Sequence, residues 1–295
     1  MADPEANLEA AARATVRGAT GGTRTVGIVG WPVTHSLSPS IHNAAFAALQ
    51  LDWIYVPLPV PPERAAEAIA ALPALGFAGA NVTMPHKSTA AAVCTSRSED
   101  AELCDAVNTL VSTSDGLEGH NTDVAGFARF LLDDAAFDPA GRSAVLLGAG
   151  GAARACALAL ARHGLASLTA VARRPEQAAA LEGIVGEFGT SVEVRAWDDP
   201  PVIAADLVVN ATPLGVSGES LPAVPIEPAQ VVVDLLYRPA ITPLLHRARE
   251  MGAMWFGGLG LLLHQAALSF ELWTGHVPPL DVMSAAALAE LAGAR

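Results

Sequence analysis

The sequence predicts an α/β fold with two domains, and two observations support this class. Apolar runs of strand length alternate with helical segments along most of the 295 residues, and short loops that contain glycine or proline join them. The alternation occurs twice, in a series that ends near residue 123 and in a second series that begins near residue 124. We therefore expect two successive β-α arrays in one chain.

The first series opens with the strand TRTVGIVG at residues 23–30. Ser38 followed by Pro39 predicts a helix that extends through Leu49, with Ser38 as its N-cap and Pro39 at the first helical position. PPERAAEAIAAL predicts a second helix, because it has proline at its start and acidic residues in its first turn. The turn TMPHK leads into a third helix. Further strands are predicted for WIYVPLPV, GANV and AVNTLV.

The second series begins with VAGFARFLLDD, which predicts a helix that links the two arrays. SAVLLGAGGAARACALALARHG predicts a strand, a glycine turn and a helix, and LTAVARRPEQAAALEGIVGEFG repeats that order. VEVRAW, DLVVNAT and VVVDLLY predict three more apolar strands, as expected for a parallel sheet buried on both faces. The segment from GGLGLLLHQAALSFELWTG onward predicts helices.

Composition excludes several classes of partner. The formal net charge of −13 repels nucleic-acid phosphates and anionic membrane surfaces, so we expect neither as a partner. Residues 1–23 are acidic and lack an apolar core segment, which predicts a flexible leader and not a signal peptide. Cys94, Cys104 and Cys156 are odd in number and lack metal-ligand spacing, which favours reduced thiols in a cytoplasmic protein and no metal site.

The glycine turn LLGAGGAA has the pattern G-x-G-x-x-A between a strand and a helix. Gly148 permits the tight turn, Gly150 lets the backbone approach a pyrophosphate, and Ala153 lets the helix lie close to the strand. Glycine turns also occur for packing alone, but the flanking strand and helix favour a dinucleotide site. Its predicted cofactor-binding residues are Gly148, Ala149, Gly150, Gly151 and Ala152.

The end of the next strand indicates which dinucleotide would bind. NAD sites tend to place an acidic residue there for the ribose hydroxyls, whereas this chain has Arg173 and Arg174. Two guanidinium groups would attract the 2′-phosphate of NADP. The alternative is an ordinary solvated basic pair, which the position after the glycine turn makes the weaker interpretation.

Lys87 in ANVTMPHKST is the only lysine among the 17 lysines and arginines of the chain. Arginine does not lose its proton within the working range of a protein, whereas a desolvated lysine can. A ketone that accepts a hydride needs a proton at its oxygen, and a lysine could supply it. Asn81 and Thr83 alternate along the preceding strand and so face the same side. The alternative is that one lysine remains by chance.

Eight motifs match, in order, those of the shikimate dehydrogenases: GWPVTHSLSPSIHN, GANVTMPHK, DAVNTL, GHNTD, GAGGAAR, NATPLG, DLLYRPAITPLL and GLGLLLHQAALSFELWTG. From about residue 24 to its end the sequence therefore resembles this family. The resemblance implies NADP-dependent reduction of 3-dehydroshikimate to shikimate, within the shikimate pathway to chorismate and the aromatic amino acids.

The resemblance also implies roles for individual residues. The catalytic pair falls on Lys87 as proton donor or acceptor and on Asp123, which would hold Lys87 and a substrate hydroxyl in register. Substrate contacts fall on Ser36, Ser38, Asn81, Thr83, Asn108, Tyr237 and Gln265. Further cofactor contacts fall on Thr212, Leu235 and Gly258.

Several of these residues have a structural alternative. Asp123 could cap the linking helix, Asn108 could be a turn residue, and Ser38 could serve as a helix cap in addition. Gln265 lies in an otherwise apolar helix, where a buried amide needs partners. The histidines near the predicted site are interpreted as structural because Lys87 already supplies the acid; they are His35, His42 and His86.

The sequence differs from the family motifs at a few single positions. Ala172 replaces the usual asparagine before the first phosphate-binding arginine, and Arg174 replaces the usual threonine, so the adenine side could be contacted differently. Asp105 begins the usual GAVNT motif, and a leucine in GLLLHQ replaces a common methionine of similar volume.

The resemblance implies an N-terminal α/β substrate domain and a Rossmann-like NADP-binding domain with a cleft between them. The substrate domain would comprise residues 24–123, completed by helices 258–295, and the NADP domain residues 124–257. Two alternatives remain, a quinate/shikimate or aminoshikimate dehydrogenase paralogue and a non-catalytic NADP-binding sensor. Ser38 and Arg173 favour shikimate and NADP. We expect a monomer or a homodimer.

Overall fold

A computed structural model describes residues 19–199, 204–215 and 219–293 of the protein. The first 18 residues of the predicted leader lie outside the described residues. The chain divides into two compact units, one formed by residues 1–122 and 265–295 and the other by residues 123–264. Both boundaries fall within helices. Over the described ranges, no helix combines the length and the apolar character that crossing a membrane would require.

The first unit is built on a six-stranded mixed sheet with the order β2-β1-β3-β5-β6-β4. Its strands are β1 (Arg24–Gly30), β2 (Trp53–Pro59), β3 (Phe77–Val82), β4 (Ser96–Arg97), β5 (Thr109–Thr113) and β6 (Gly116–His120). The strands β1, β2 and β3 are parallel, whereas β5 is antiparallel to β3 and to β6. The carboxyl ends of β1, β3 and β6 and the amino end of β5 therefore share one edge.

Helices cover both faces of this sheet. They are α1 (Ser38–Ala48), α2 (Ala65–Ala70), α3 (Lys87–Val93) and α4 (Glu99–Cys104), the final turns of α9 (Leu259–Thr274), and α10 (Leu280–Gly293), while α5 (Thr122–Arg129) begins at the unit boundary. One apolar core contains Val29, Ile69, Val82 and Leu110. A separate aromatic cluster surrounds His42, with Tyr55 and Phe270 stacked on its ring and Phe46 and Trp273 tilted against it. Chain positions 265–274 thus complete a unit that begins at the N-terminal end.

The second unit is built on a six-stranded parallel sheet with the order β12-β11-β10-β7-β8-β9. Its strands are β7 (Ser143–Leu147), β8 (Ser167–Ala172), β9 (Ser191–Ala196), β10 (Leu207–Asn210), β11 (Val231–Asp234) and β12 (Met254–Gly257). Counted from β7, this is the strand order 6-5-4-1-2-3 of the doubly wound dinucleotide-binding fold. Further helices of the unit are α6 (Gly151–Arg162), α7 (Pro175–Val185) and α8 (Pro243–Glu250).

The sheet is parallel as predicted, and its inner strands are buried on both faces. The edge strand β9 (VEVRAW) is not, since its residues are exposed or half-buried, so the expectation of burial on both faces is wrong for this strand. All residues of β10 and β11 are buried. Val145, Val171, Val208 and Val232 form the centre of one apolar cluster, against which Leu245 of α8 packs. The predicted fold class, an α/β protein with a Rossmann-like second array, is confirmed.

Two expectations about helix starts are wrong. Helix α1 begins at Ser38 itself, and its N-cap is Leu37, an apolar residue whose side chain makes no capping hydrogen bond. Ser38 is thus a helical residue and not the cap. Helix α5 begins at Thr122, so Asp123 lies in the first turn and not at the cap.

Candidate active site

The loops that carry the predicted substrate residues lie at one edge of the first sheet. Ser36 follows β1, and Thr83 and Lys87 follow β3. The backbone N–H of Thr83 donates to the carbonyl of Val29 at 2.9 Å, which holds the two loops side by side. A Cβ on Gly30 would lie 2.3 Å from Cγ2 of Thr83, so this close approach requires glycine.

The loop between β1 and α1 is held by its own serines. The N–H of Ser36 donates to the carbonyl of Val33 at 3.1 Å, and the N–H of Ser38 donates to Oγ of Ser36 at 3.3 Å. Ser38 is buried and Ser36 is half-buried. The two residues whose hydroxyls are predicted to bind the carboxylate therefore lie in the loop after β1 and at the first position of α1, and one hydrogen bond joins them.

Lys87 is the first residue of α3, and its side chain is partly exposed. Its carbonyl accepts a hydrogen bond from the N–H of Val107 at 3.0 Å, which joins the start of α3 to the segment before β5. Val82 N–H donates to the carbonyl of Asn108 at 2.8 Å in the same region. These bonds place Lys87 and Asn108 at the same sheet edge as the loop between β1 and α1.

Asn81 lies within β3 and is buried, with 5 % of its surface exposed. Its Nδ2 lies within hydrogen-bond distance of the carbonyl of Asn108 (3.1 Å), Oγ1 of Thr109 (3.0 Å) and Oγ of Ser269 (3.0 Å). Its Oδ1 accepts a hydrogen bond from the hydroxyl of Tyr55 at 2.8 Å. Other protein groups thus form hydrogen bonds with both the nitrogen and the oxygen of the Asn81 side-chain amide.

Asn108 and Gln265 come together at this edge although they are far apart in sequence. Nδ2 of Asn108 donates to Oγ1 of Thr122 at 2.9 Å and lies 3.5 Å from Oε1 of Gln265. Oδ1 of Asn108 accepts from the N–H of Thr122 at 2.8 Å. The side chain of Asn108 is therefore fixed beside the start of α5, which carries Asp123.

Asp123 is 8 % exposed and is the first residue of the second compact unit. The predicted pairing of Lys87 with Asp123 joins residues of different units and stays a prediction. Tyr237, three residues after β11, also belongs to the second unit. Its contact with the substrate likewise stays a prediction.

The three histidines occupy different environments. His42 is fully buried, and neither ring nitrogen has a hydrogen-bond partner among the described residues. Burial lowers the pKa of His42 to about 3, so the ring is neutral at physiological pH. Nε2 of His86 lies 2.7 Å from the carbonyl of Val60, and His86 is buried, whereas His35 is exposed. The surroundings of His42 and His86 agree with a structural role.

Every predicted cofactor residue in the second unit follows the carboxyl end of a parallel strand. The glycine turn follows β7, Arg173 and Arg174 follow β8, Thr212 follows β10, Leu235 follows β11, and Gly258 follows β12. Ligands of open α/β sheets bind outside these strand ends, at the point where the strand order reverses. That point lies here between β7 and β10.

The glycine turn is tight, and its backbone is open at the start of α6. Gly148 has a φ of +114°, and a Cβ there would lie 3.0 Å from Cγ2 of Thr212. Gly150 is the N-cap of α6, and no described atom lies within 4 Å of the position that its Cβ would take. Ala153 is fully buried, so α6 lies close against the sheet. The open backbone at the start of α6 fits a phosphate group.

The arginines at the end of β8 are both exposed, and Arg174 is the N-cap of α7. Ala172, at the position of the family's usual asparagine, is buried as the last residue of β8. Two guanidinium groups therefore extend into solvent beyond the strand end. This is the location expected for recognition of a 2′-phosphate.

Sequence reasoning missed a carboxylate that joins two of these loops, those after β10 and β11. Asp234, the last residue of β11, is 1 % exposed. Its Oδ1 accepts from Nδ2 of Asn210 and from the N–H of Leu236, each at 3.1 Å, and its Oδ2 accepts from Oγ1 of Thr242 at 2.7 Å. Burial raises the pKa of Asp234, and the three hydrogen bonds act in the opposite direction. The sequence pattern that could have identified Asp234 is an acidic residue at the end of an apolar strand.

Sequence reasoning also missed the hydroxyls inside the first unit. Tyr55, Thr109, Thr122 and Ser269 surround Asn81 and Asn108 with hydrogen-bond partners. Ser269 lies one helical turn after Gln265 in α9 and so shares its face. A small polar residue at that spacing was the only pattern that could have identified it.

Family comparison matches two segments of the chain. Residues 28–110 match the description "Shikimate dehydrogenase substrate binding domain", and residues 258–288 match "Shikimate 5'-dehydrogenase C-terminal domain". The shikimate dehydrogenase (NADP(+)) of Desulforamulus reducens is 42 % identical over 273 residues, which cover 89 % of this chain and 94 % of that protein.

Solved structures extend the similarity to the fold of the whole chain. The shikimate 5-dehydrogenase of Thermus thermophilus, solved in complex with NADP(H) and shikimate, matches with a TM-score of 0.80 and 34 % identity, covering 90 % of this chain and 99 % of that one. A quinate dehydrogenase from Corynebacterium glutamicum, in complex with NAD, matches with a TM-score of 0.80 and 30 % identity, again over 90 % and 99 %. The likeness therefore extends over both compact units of the chain.

Proposed function

Because the chain belongs to the shikimate dehydrogenase family, we propose that it catalyses the reversible, NADP-dependent reduction of 3-dehydroshikimate to shikimate. The observation that supports this proposal is the grouping of Ser36, Thr83, Lys87, Asn108 and Gln265 at one edge of the first sheet. These residues supply hydroxyls, amides and one ammonium group. A small ring with a carboxylate, several hydroxyls and one ketone requires that set of partners.

The carboxylate of the substrate would bind to Ser36 and Ser38, at the end of the loop after β1 and the start of α1. Ser36 and Ser38 lie two residues apart, and each offers a hydroxyl that can donate to a carboxylate oxygen. The ring hydroxyls would then bind to Asn108 and Gln265, whose amides already lie 3.5 Å apart. Thr83, at the end of β3, would complete the contacts between these two groups.

Lys87 is the group we assign to proton transfer. The bound cofactor supplies the hydride that reaches the carbonyl carbon. Lys87 would donate a proton to the carbonyl oxygen as negative charge develops there, and would accept it in the reverse reaction. Asp123 would hold the ammonium group of Lys87 and one ring hydroxyl in register. Arginine could not replace Lys87, because it keeps its proton at working pH.

The second unit would hold NADP through its strand-end loops. Gly148 to Ala152 would contact the pyrophosphate, and Arg173 and Arg174 the 2′-phosphate. Thr212, Leu235 and Gly258 follow the next strands of the sheet and would line the nicotinamide end. Tyr237, in the loop after β11, would contribute a hydroxyl to the substrate.

The match to a quinate dehydrogenase supports a second candidate function, the oxidation of quinate. Its TM-score equals that of the shikimate dehydrogenase from Thermus thermophilus, so the fold alone does not separate the two substrates. Ser38 and the arginines after β8 favour shikimate and NADP over quinate and NAD. An aminoshikimate substrate and a non-catalytic NADP sensor are the remaining alternatives, and Lys87 together with Asp123 argues against the sensor.

The deciding experiment offers shikimate and quinate to the purified protein, each with NADP and with NAD, and follows cofactor reduction by absorbance. We expect turnover mainly with shikimate and NADP. Turnover mainly with quinate or NAD would assign the protein to the paralogue branch. Binding of NADP without turnover of either acid would favour the sensor.

We also propose a cytoplasmic location and a monomeric or homodimeric state. The three cysteines form no disulfide with one another, which agrees with a reducing compartment. Analytical ultracentrifugation of the purified protein would determine the oligomeric state.

A further inference from the structure

We propose that Asp234 and Asn210 are a positioning pair for the nicotinamide end of the cofactor, because their side chains fix the loops after β10 and β11. The inference rests on the proposed function, in which these loops hold NADP. Asn210 is the last residue of β10 and is fully buried, and Asp234 is the last residue of β11 and is 1 % exposed. We therefore assign neither residue to direct contact with the cofactor; each acts through the loop residues that it binds.

The side-chain amide of Asn210 has one consistent orientation. Its Oδ1 accepts from the N–H of Thr212 at 3.1 Å, and a backbone N–H can only donate. Its Nδ2 donates to the carbonyl of Leu214 at 3.3 Å, and a carbonyl can only accept. The same Nδ2 donates to Oδ1 of Asp234 at 3.1 Å. The two protons of the amide therefore serve the loop after β10 and the carboxylate of Asp234.

The hydroxyl of Thr212 depends on the same amide. Its Oγ1 lies 2.7 Å from Oδ1 of Asn210, which carries no proton, so Thr212 is the donor. Oγ1 of Thr212 in turn accepts from the N–H of Leu214 at 3.2 Å. Residues 212–214 thus close around the side chain of Asn210, and the shape of this loop depends on it.

Three hydrogen-bond donors surround the carboxylate of Asp234. Nδ2 of Asn210 and the N–H of Leu236 donate to Oδ1, each at 3.1 Å, and Oγ1 of Thr242 donates to Oδ2 at 2.7 Å. An ionised carboxylate accepts at both oxygens, so it satisfies all three donors at once. An asparagine at this position could accept at one oxygen only, and an alanine could not accept at all.

The three predicted nicotinamide contacts all connect to this pair. Thr212 bonds to the Asn210 side chain through its N–H and its hydroxyl. The N–H of Leu235 donates to the carbonyl of Asn210 at 3.0 Å. The N–H of Gly258 donates to the carbonyl of Leu236 at 3.0 Å, which joins the loop after β12 to the loop after β11. Loss of the pair would therefore release all three contacts together.

The test compares the binding of NADP with that of adenosine 2′,5′-bisphosphate, which carries the 2′-phosphate but no nicotinamide. In Asp234→Ala, calorimetry should show an affinity for NADP about tenfold or more below that of the wild type, because the loops at the nicotinamide end are released. The affinity for the bisphosphate should stay within about 2-fold, since this ligand does not reach those loops. Equal losses for both ligands, or no loss for either, would overturn the proposal.

Two further variants resolve the effect into hydrogen bonds. Asp234→Asn keeps an acceptor for Asn210 and Leu236 and loses only the one for Thr242, so the affinity for NADP should fall by less than about 3-fold. Asn210→Ala leaves Asp234 with two donors but removes the support of residues 212–214, and should reproduce the selective loss even if Asp234→Ala does not fold. A loss in Asp234→Asn as large as in Asp234→Ala would contradict the proposal.

Asp206→Ala is the matched control. Asp206 precedes β10, at the opposite edge of the same sheet, and its Oδ2 accepts from the N–H of Ser143 at 2.9 Å and from its Oγ at 2.7 Å. This variant also removes an acid that joins two strands, yet both affinities should stay within about 2-fold of the wild type. A selective loss of NADP affinity in Asp206→Ala would show that any such acid in the sheet has the same effect, and would overturn the proposal.

Hydrogen–deuterium exchange without ligand separates this inference from the proposed function. In Asp234→Ala and in Asn210→Ala, amides in the segments 211–215 and 235–237 should exchange several-fold faster than in the wild type, and in Asp206→Ala they should not. If the wild type binds neither ligand, the proposed function fails, and the exchange rates still decide whether the pair holds the loops. Unchanged exchange in both variants of the pair would contradict the positioning role.

Discussion

Nδ2 of Asn108 and Oε1 of Gln265 lie 3.5 Å apart across a sequence separation of 157 residues. Asn108 precedes β5, whereas Gln265 lies in α9, so the C-terminal part of the chain completes a site that the N-terminal part begins. Asn108 also holds the start of α5, because its Nδ2 donates to Oγ1 of Thr122 and its Oδ1 accepts from the N–H of Thr122. Two amides that touch in this way can bind neighbouring ring hydroxyls together.

Removing the amine of Lys87 tests the proton-transfer assignment. We expect Lys87→Ala to lower kcat by about 10²- to 10⁴-fold while shikimate binding, measured by calorimetry, weakens much less. Lys87→Arg is the matched variant, because it keeps a positive charge that cannot transfer its proton at working pH. It should be nearly as inactive as Lys87→Ala. Near-normal kcat in either variant would refute the role.

The arginines after β8 are expected to set the cofactor preference. Arg173→Ala together with Arg174→Ala should raise KM for NADP about tenfold or more and leave KM for NAD within about 2-fold, because only NADP carries the 2′-phosphate. Arg195→Ala on neighbouring β9 is the control, since Arg195 is already paired with Glu193 and Asp199. Equal changes for NADP and NAD would contradict a phosphate-specific role.

The two glycines of the turn should respond differently to alanine. Gly150 has a φ of −77° and open space at its Cβ position, so Gly150→Ala should change the free energy of unfolding by less than about 0.5 kcal/mol. Its methyl group would nevertheless occupy the phosphate side of the turn, and KM for NADP should rise about tenfold.

Gly148→Ala should instead destabilise the protein by about 1–3 kcal/mol, because the φ of +114° is unfavourable for alanine and the new Cβ would crowd Thr212. Urea unfolding and NADP titration of both variants would measure these effects. Equal stability losses in Gly148→Ala and Gly150→Ala would contradict the described geometry.

His42 should make stability depend on pH. In the unfolded chain its imidazole binds a proton below about pH 6.5, whereas in the folded protein burial lowers the pKa to about 3. The unfolded state therefore binds more protons between these values, and stability is lost as the pH falls from 6.5 towards 3.

His42→Phe keeps a ring beside Tyr55 but cannot be protonated. Between pH 7 and pH 5.5, the wild type should lose about 1 kcal/mol more of its free energy of unfolding than His42→Phe does. Urea unfolding of both proteins at the two pH values would measure the difference. Parallel losses would show that His42 is protonated in the folded protein.

The sequence predicted the fold class, and it predicted which strand-end loops carry the candidate site residues, because both depend on local signals. Strand-end glycines, the Ser-Pro helix start and the polar residues after apolar strands all lie within a few positions of the elements that they mark. Ser38 was wrongly assigned as the N-cap because the serine–proline pattern does not show at which residue packing begins the helix. Edge strand β12 and helix α8 were not assigned for a similar reason, since their burial depends on neighbours distant in sequence.

The roles of Tyr55, Ser269 and Asp234 were equally inaccessible from the sequence. Each is a single polar residue in an apolar element, a pattern that does not identify its partners. Only the packing of β2, α9 and β11 brings these side chains to Asn81 and Asn210.

The carboxylate of Asp234 has a consequence for how cofactor preference can evolve or be redesigned. It joins the loops after β10 and β11 to the start of α8, through Asn210, Leu236 and Thr242. These segments are linked through Asp234, so a substitution in any of them must preserve the hydrogen bonds that its carboxylate accepts. Arg173 and Arg174 follow a different strand and make no bond to Asp234 among the described residues. A lineage could therefore exchange NADP for NAD at these two positions without redesigning the nicotinamide end.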